Sequence, residues 1–151
     1  MNNISNKVTL RKIIFLIIAL ILAYLGGSKF WEMRHYKEKV VVSEDFTERV
    51  MLSKYFDGIE GTWLDTPVYV YDSGNPGGSM LLLGGTHPYE PATMLTAFVA
   101  MENMSIDKGK VFIIPNANRS AVTMGDYGEG YPSYFHVDTP WGQKKMRIGS
   151  R

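Results

Sequence analysis

The stretch Met80-Leu81-Leu82-Leu83-Gly84-Gly85-Thr86-His87-Pro88-Tyr89-Glu90-Pro91 admits few local structures. Met80 to Leu83 has no charged residue, so it predicts a strand buried on both faces, as in a parallel sheet. Gly84 and Gly85 let the chain turn sharply at the strand's carboxyl end. Pro91 is a good first helical residue. Ala92 to Met104 follows, with Met94, Leu95, Phe98, Val99 and Met101 on roughly one helical face. His87 and Glu90 therefore belong to a short loop between a strand and a helix. Open α/β sheets bind ligands at that end of their strands.

An imidazole nitrogen and a carboxylate oxygen are both good zinc ligands, and a catalytic zinc takes three protein ligands plus a water. The same spacing also describes a loop histidine followed by a glutamate that favours a helix N-terminus. The chain has no cysteine. Disulfides and thiolate zinc sites are thereby excluded, and any metal must use histidine and carboxylates. His136 is the other histidine of the body and a weak candidate for a third ligand. His35, between Arg34 and Tyr36, reads as solvated.

Gly84-Gly85-Thr86-His87-x-x-Glu90-Pro91 after an apolar strand resembles the zinc-binding segment of the succinylglutamate desuccinylase/aspartoacylase family, which is related to the zinc carboxypeptidases. The resemblance covers Met80 to Ala121 and extends weakly to Arg151. It implies an α/β fold with a partial three-layer mixed sheet of the zinc carboxypeptidase type. It also implies a Zn2+ cofactor held by His87 and Glu90. The expected reaction is hydrolysis of an amide bond in a small N-acyl amino acid, or removal of a C-terminal residue from a peptide. In such sites zinc polarises the carbonyl and activates a water, and an arginine stabilises the oxyanion or binds a carboxylate. Arg147 or Arg151 are the candidates for that arginine. The family's third ligand, a histidine on a later strand, and its catalytic glutamate have no match here. The resemblance therefore predicts the N-terminal part of a hydrolase, with weak zinc binding and little activity alone. The alternatives are a carboxypeptidase-like peptidase and a non-catalytic anchored fragment.

The loop Pro115-Asn116-Ala117-Asn118-Arg119-Ser120-Ala121 is expected at the same sheet end as His87. It resembles the post-strand loop beside the active site of the zinc carboxypeptidase relatives. It reads equally as a polar turn in which asparagine tolerates unusual backbone angles. Arg119 is a candidate to steer an acidic substrate.

Residues 1–12 form a basic tail with Lys7, Arg11 and Lys12. Ile13 to Ser28 then gives sixteen uncharged residues, slightly short of the usual span of about 20. A basic start before an apolar run fits a signal anchor or a cleavable signal, with cleavage after Ser28. The uncleaved anchor is favoured, with Trp31 and Tyr36 as interfacial residues. Lys7, Arg11 and Lys12 favour a cytoplasmic N-terminus against Lys29, Arg34, Lys37 and Lys39. The body is thus expected outside the cytosol, with the lipid bilayer as a partner. A net charge of +1 with no basic stripe argues against nucleic acid.

Residues 29–60 are expected to be a charged juxtamembrane connector and a helix, and residues 61–151 the truncated zinc hydrolase-like domain. The helix is predicted over Asp45 to Phe56, capped by Asp45 with Glu48 three residues on and buried through Phe46, Val50, Met51 and Tyr55. Pro67 to Tyr71 reads as a strand. Asp72 to Gly78 is a turn into the Met80 strand, and these two strands are expected as an edge hairpin. Val111 to Ile114 is another strand, which completes a βαβ unit with a right-handed crossover. Gly125 to Ser133 reads as a surface loop, Tyr134 to Val137 as a short strand and Thr139 to Gly142 as a turn. Lys144 to Arg151 carries no signal for a closing strand. A sheet ended early would leave an edge strand and an uncovered core face.

Overall fold

A computed structural model describes residues 2–123, 134–140 and 142–147. The expected Gly125–Ser133 loop and Arg151 lie outside the described residues. The chain divides into two units, Met1–His35 and Tyr36–Arg151.

The first unit is one helix, α1, Asn2–His35. Within it Val8–Glu32 has a mean hydropathy of 2.3. Its large apolar side chains, including Phe15, Leu20 and Leu22, are exposed all round. A helix apolar on every face suits lipid rather than one-sided packing, and α1 is long and apolar enough to cross a membrane. The connector expected from Lys29 is still helical as far as His35. His35 stacks on Trp31 with ring centroids 3.8 Å apart. Tyr36, expected as an interfacial anchor, belongs to the second unit and meets the Tyr134 ring edge-on.

The second unit is mixed α/β. Its elements are β1 (Phe46–Met51), two short 3-10 turns, β2 (Pro67–Asp72), β3 (Ser79–Leu83), α2 (Pro91–Asn103), β4 (Lys110–Ile114), α3 (Arg119–Thr123), β5 (Tyr134–Thr139) and β6 (Gly142–Arg147). One sheet has the order β1-β2-β4-β3, and β5 pairs with β6 in a second. β3 and β4 are parallel, while β1 with β2 and β2 with β4 are antiparallel. Strand, helix and parallel strand thus form the expected βαβ unit.

Four local expectations are corrected. Phe46–Met51 is a strand rather than a helix. Its backbone groups pair along β2, and Phe46 packs on the Tyr69 and Tyr71 rings. Asp45 does not cap a helix; its carboxylate accepts from Ile106 N at 2.9 Å. Pairing with a neighbouring strand overrides the local helix signals. The two strands flanking the Asp72–Gly78 turn are not a hairpin, because β4 lies between them.

The Met80–Leu83 strand is not buried on both faces. It is the sheet edge, with Met80 50%, Leu81 59% and Leu83 48% exposed. Finally, Gly142–Arg147 does form a closing strand. It pairs with β5 from Thr139↔Gly142 to Tyr134↔Arg147.

Helix α2 is buried on two sides. Ala97 and Met101 pack against Tyr69, Tyr71 and Ile113 of the sheet, and Leu82 lies against that cluster. Met94 and Phe98 pack against Met146 of the hairpin, with Phe135 beside them. Leu95 and Val99 of the expected face are only partly buried or exposed. Each fully buried large side chain contributes about 1.5–3 kcal/mol, so α2 binds the two sheets together. The opposite sheet face carries Val68, Val70 and Ile114, with Leu52, Phe112 and Ala117 packed on them.

Candidate functional site

Parallel pairing sets the geometry. Leu83 lies opposite Ile114, so β3 and β4 release their following loops at the same sheet end. β2 runs against β4 and starts at Pro67, so the segment before it arrives at that end as well.

The loop from β3 begins with a forced close approach. A Cβ on Gly84 would lie 2.7 Å from Ala97 Cβ and 2.8 Å from Thr93 O. Gly85 has φ +62°, and a Cβ there would lie 2.9 Å from Pro115 O. Only glycine lets β3 run against both α2 and the β4 loop here.

His87 and Glu90 follow on one turn, closed by Glu90 N donating to His87 O at 2.8 Å. Both side chains are exposed. Glu90 is the residue before α2, where a negative charge is favoured by the helix N-terminus, and its carboxylate makes no capping bond. Thr93 does the local fastening. Its hydroxyl donates to Glu90 O at 3.1 Å and accepts from Gly85 N at 3.3 Å. Thr93 was not singled out in the sequence, although a threonine in the first helical turn after Glu90 is a usable signal for such a bond.

The β4 loop is bonded to the His87 loop along its length. Ala117 N donates to Gly84 O at 2.8 Å and Asn118 N to Gly85 O at 3.2 Å. The Asn118 carboxamide donates to Thr86 O at 3.4 Å through Nδ2. Its Oδ1 accepts from Ser120 Oγ at 2.9 Å and from Ala121 N at 3.3 Å. One side chain thus satisfies the start of α3 and steadies the residue before His87.

Of the two candidate arginines among the described residues, Arg119 lies at this end. Its Nη1 donates to Asp65 O, while the Asp65 carboxylate accepts from Ser53 N at 2.9 Å and Ser53 Oγ at 2.8 Å. Arg147 lies elsewhere. It is 2% exposed on β6, its Nη2 donates to Tyr36 O, and burial holds its pKa below the ordinary arginine value. It is an interior side chain beneath the Tyr36 ring. His136 is exposed on β5 opposite Lys145.

An imidazole nitrogen and a carboxylate oxygen, as His87 and Glu90 carry, are both zinc-ligand types. Among the described residues no group of three His, Cys, Asp or Glu stands together. Comparison of the chain with family models, with curated proteins and with solved structures finds no match.

Proposed function

We propose that this chain is a membrane-anchored zinc-dependent hydrolase of the succinylglutamate desuccinylase/aspartoacylase type, acting on an amide bond and carrying the His87 and Glu90 ligands. The observation that supports the reading is their place in the βαβ unit. They share one turn at the carboxyl end of β3, fastened to the loop that leaves β4. The zinc carboxypeptidase type of fold belongs to the same proposal.

Zinc held there would polarise the scissile carbonyl and lower the pKa of a bound water toward about 7. The protein's own part is to hold the donor pair on rigid elements. The reading requires a third donor and a general base beyond the described residues. Two donors by themselves would hold zinc weakly. The basic N-terminal flank places the body outside the cytosol in this proposal.

The pair without a third partner among the described residues favours one rival, a non-catalytic anchored module. Equilibrium dialysis against Zn2+ separates the two. His87→Ala and Glu90→Ala each abolish binding while circular dichroism stays unchanged, if the site is real. Binding equal to the unsubstituted chain in both variants overturns it. Amine release from N-acetyl amino acids and from dipeptides then distinguishes the acyl hydrolase from a carboxypeptidase-like peptidase.

A further inference from the structure

We propose that the body carries a docking face for anionic phospholipid headgroups, formed by Lys37, Lys39 and Lys145 around a clamped Tyr36. The inference rests on the membrane-anchor part of the proposed function and stands apart from the metal.

Tyr36 is the residue that follows α1 in the chain, and the body holds it firmly. Its hydroxyl donates to Lys145 O, and its carbonyl accepts from Arg147 Nη2. Its ring meets Tyr134 edge-on with centroids 5.2 Å apart. The Lys145 ammonium lies over both rings, 5.0 Å from the Tyr36 centroid and 3.8 Å from that of Tyr134. The fold thus brings a lysine from 109 positions away onto the segment that leaves α1.

That segment alternates. Tyr36 and Glu38 are partly buried while Lys37 and Lys39 are exposed, the side-chain period of an extended chain. Glu38 Oε1 is buried, and the Glu38 charge acts on the buried Arg147 guanidinium. The acid is turned inward and the two lysines outward. Neither Lys37 nor Lys39 has an ion-pair partner among the described residues. Lys39 even opposes the fold: burial first, and the Lys39 charge second, lower the Lys144 pKa. An anion outside the body accounts for these cations.

Chain length sets their distance from lipid. The apolar span runs to Glu32, so Tyr36 lies four residues on, at most about 14 Å away even if extended. The headgroup layer is about 5–7 Å deep, and its charge acts over about 10 Å more at 0.1 M salt. Tyr36 and the lysine over its ring therefore fall within the headgroup field. Each lysine there strengthens binding about fivefold. Lys37 and Lys39 count against a cytoplasmic N-terminus in the sequence, and headgroup phosphate gives them a use on the body side.

The test needs neither metal nor turnover. His136, exposed on β5 opposite Lys145, is changed by His136→Cys to give the full chain a single thiol for a bimane label. The labelled chain is reconstituted into phosphatidylcholine vesicles with or without phosphatidylglycerol, each holding a headgroup-nitroxide lipid that quenches bimane on contact. Quenching should be stronger with phosphatidylglycerol and should drop to the phosphatidylcholine level at high salt. Lys37→Gln, Lys39→Gln and Lys145→Gln should each weaken the phosphatidylglycerol response about fivefold with circular dichroism unchanged. Equal quenching in both lipids, or glutamine variants that respond like the unsubstituted chain, would overturn the proposal while leaving the anchor in place. Release of the chain from the vesicles by alkaline carbonate would remove the anchor reading and the proposal with it.

Discussion

The ammonium of Lys144 on β6 meets the carboxylate of Glu102 on α2 inside the protein, with 5% and 1% of the two side chains exposed. The pair joins the hairpin to the last turn of α2, where Met94, Phe98 and Met146 supply the apolar part of the same junction. Neither residue marked itself in the sequence. A lysine and a glutamate 42 positions apart carry no local sign of pairing.

Removing one partner strands a buried charge. Glu102→Ala or Lys144→Ala should each destabilise the body by about 3–5 kcal/mol. The double change Glu102→Leu with Lys144→Met should cost much less, because it removes both charges and fills the space. Urea unfolding of the three variants measures this. Equal losses for the double and single variants would mean that the pair is not the source.

Gly84 should not tolerate even alanine. The added methyl would meet Ala97 Cβ at 2.7 Å and Thr93 O at 2.8 Å, pushing β3 away from α2. Overpacking of this kind costs about 1–3 kcal/mol. Gly84→Ala should also loosen the His87 turn, read as weaker zinc binding than the unsubstituted chain. Stability and zinc affinity unchanged by Gly84→Ala would show that this approach is not tight.

Among the described residues β3 is paired on one side only, and this edge should make the body self-associate. Leu81 and Leu83 are exposed on the sheet face shared with Phe112 and Ile114, and unpaired edge strands with apolar side chains template association. Leu81→Lys and Leu83→Lys should lower concentration-dependent light scattering while stability stays within about 0.5 kcal/mol. Scattering that is insensitive to both changes would place the association elsewhere.

Acid should release the contact between Asp72 and Lys110, which lie opposite each other on β2 and β4 at 2.6 Å. The hydrogen bond from Lys110 and a second from Gly74 N hold the Asp72 carboxyl below the usual carboxylate range. The Asp72 bond raises Lys110 above its ordinary value. A depressed carboxylate contributes stability above its unfolded pKa, and that contribution is lost as pH falls through the folded value. A raised lysine contributes below its unfolded pKa and loses that as pH rises through the folded one. The pair's support is therefore present from mild acid to mild alkali and fades at both ends. Because both groups face solvent, the effect is small. Asp72→Asn should flatten the acid side of a melting-temperature profile, and an identical profile would mean that the pair contributes nothing.

The His87 turn was legible because its determinants are contiguous. Two glycines, a proline and an apolar run specify strand, turn and helix within twelve residues, Met80 to Pro91. The bracing around it was not legible. Asp65 meets Ser53 through its carboxylate and Arg119 through its carbonyl only because β1, β2 and β4 bring distant segments to one sheet end. The same distance explains Arg147, which is a candidate substrate arginine in the sequence and an interior residue in the fold.

By itself the sequence determined what depends on near neighbours. These are the long apolar helix, the strand–turn–helix that carries His87 and Glu90, and the turn before β6. Backbone sterics and side-chain periodicity act within a few residues, so they can be read along the chain. Only the tertiary structure decided that Phe46–Met51 is a strand, that β4 separates β2 from β3, and that β3 is the last strand on its side among the described residues. Strand pairing satisfies backbone donors and acceptors with partners far away in sequence. Which partner is present, or missing, is a property of the assembled sheet and not of the strand.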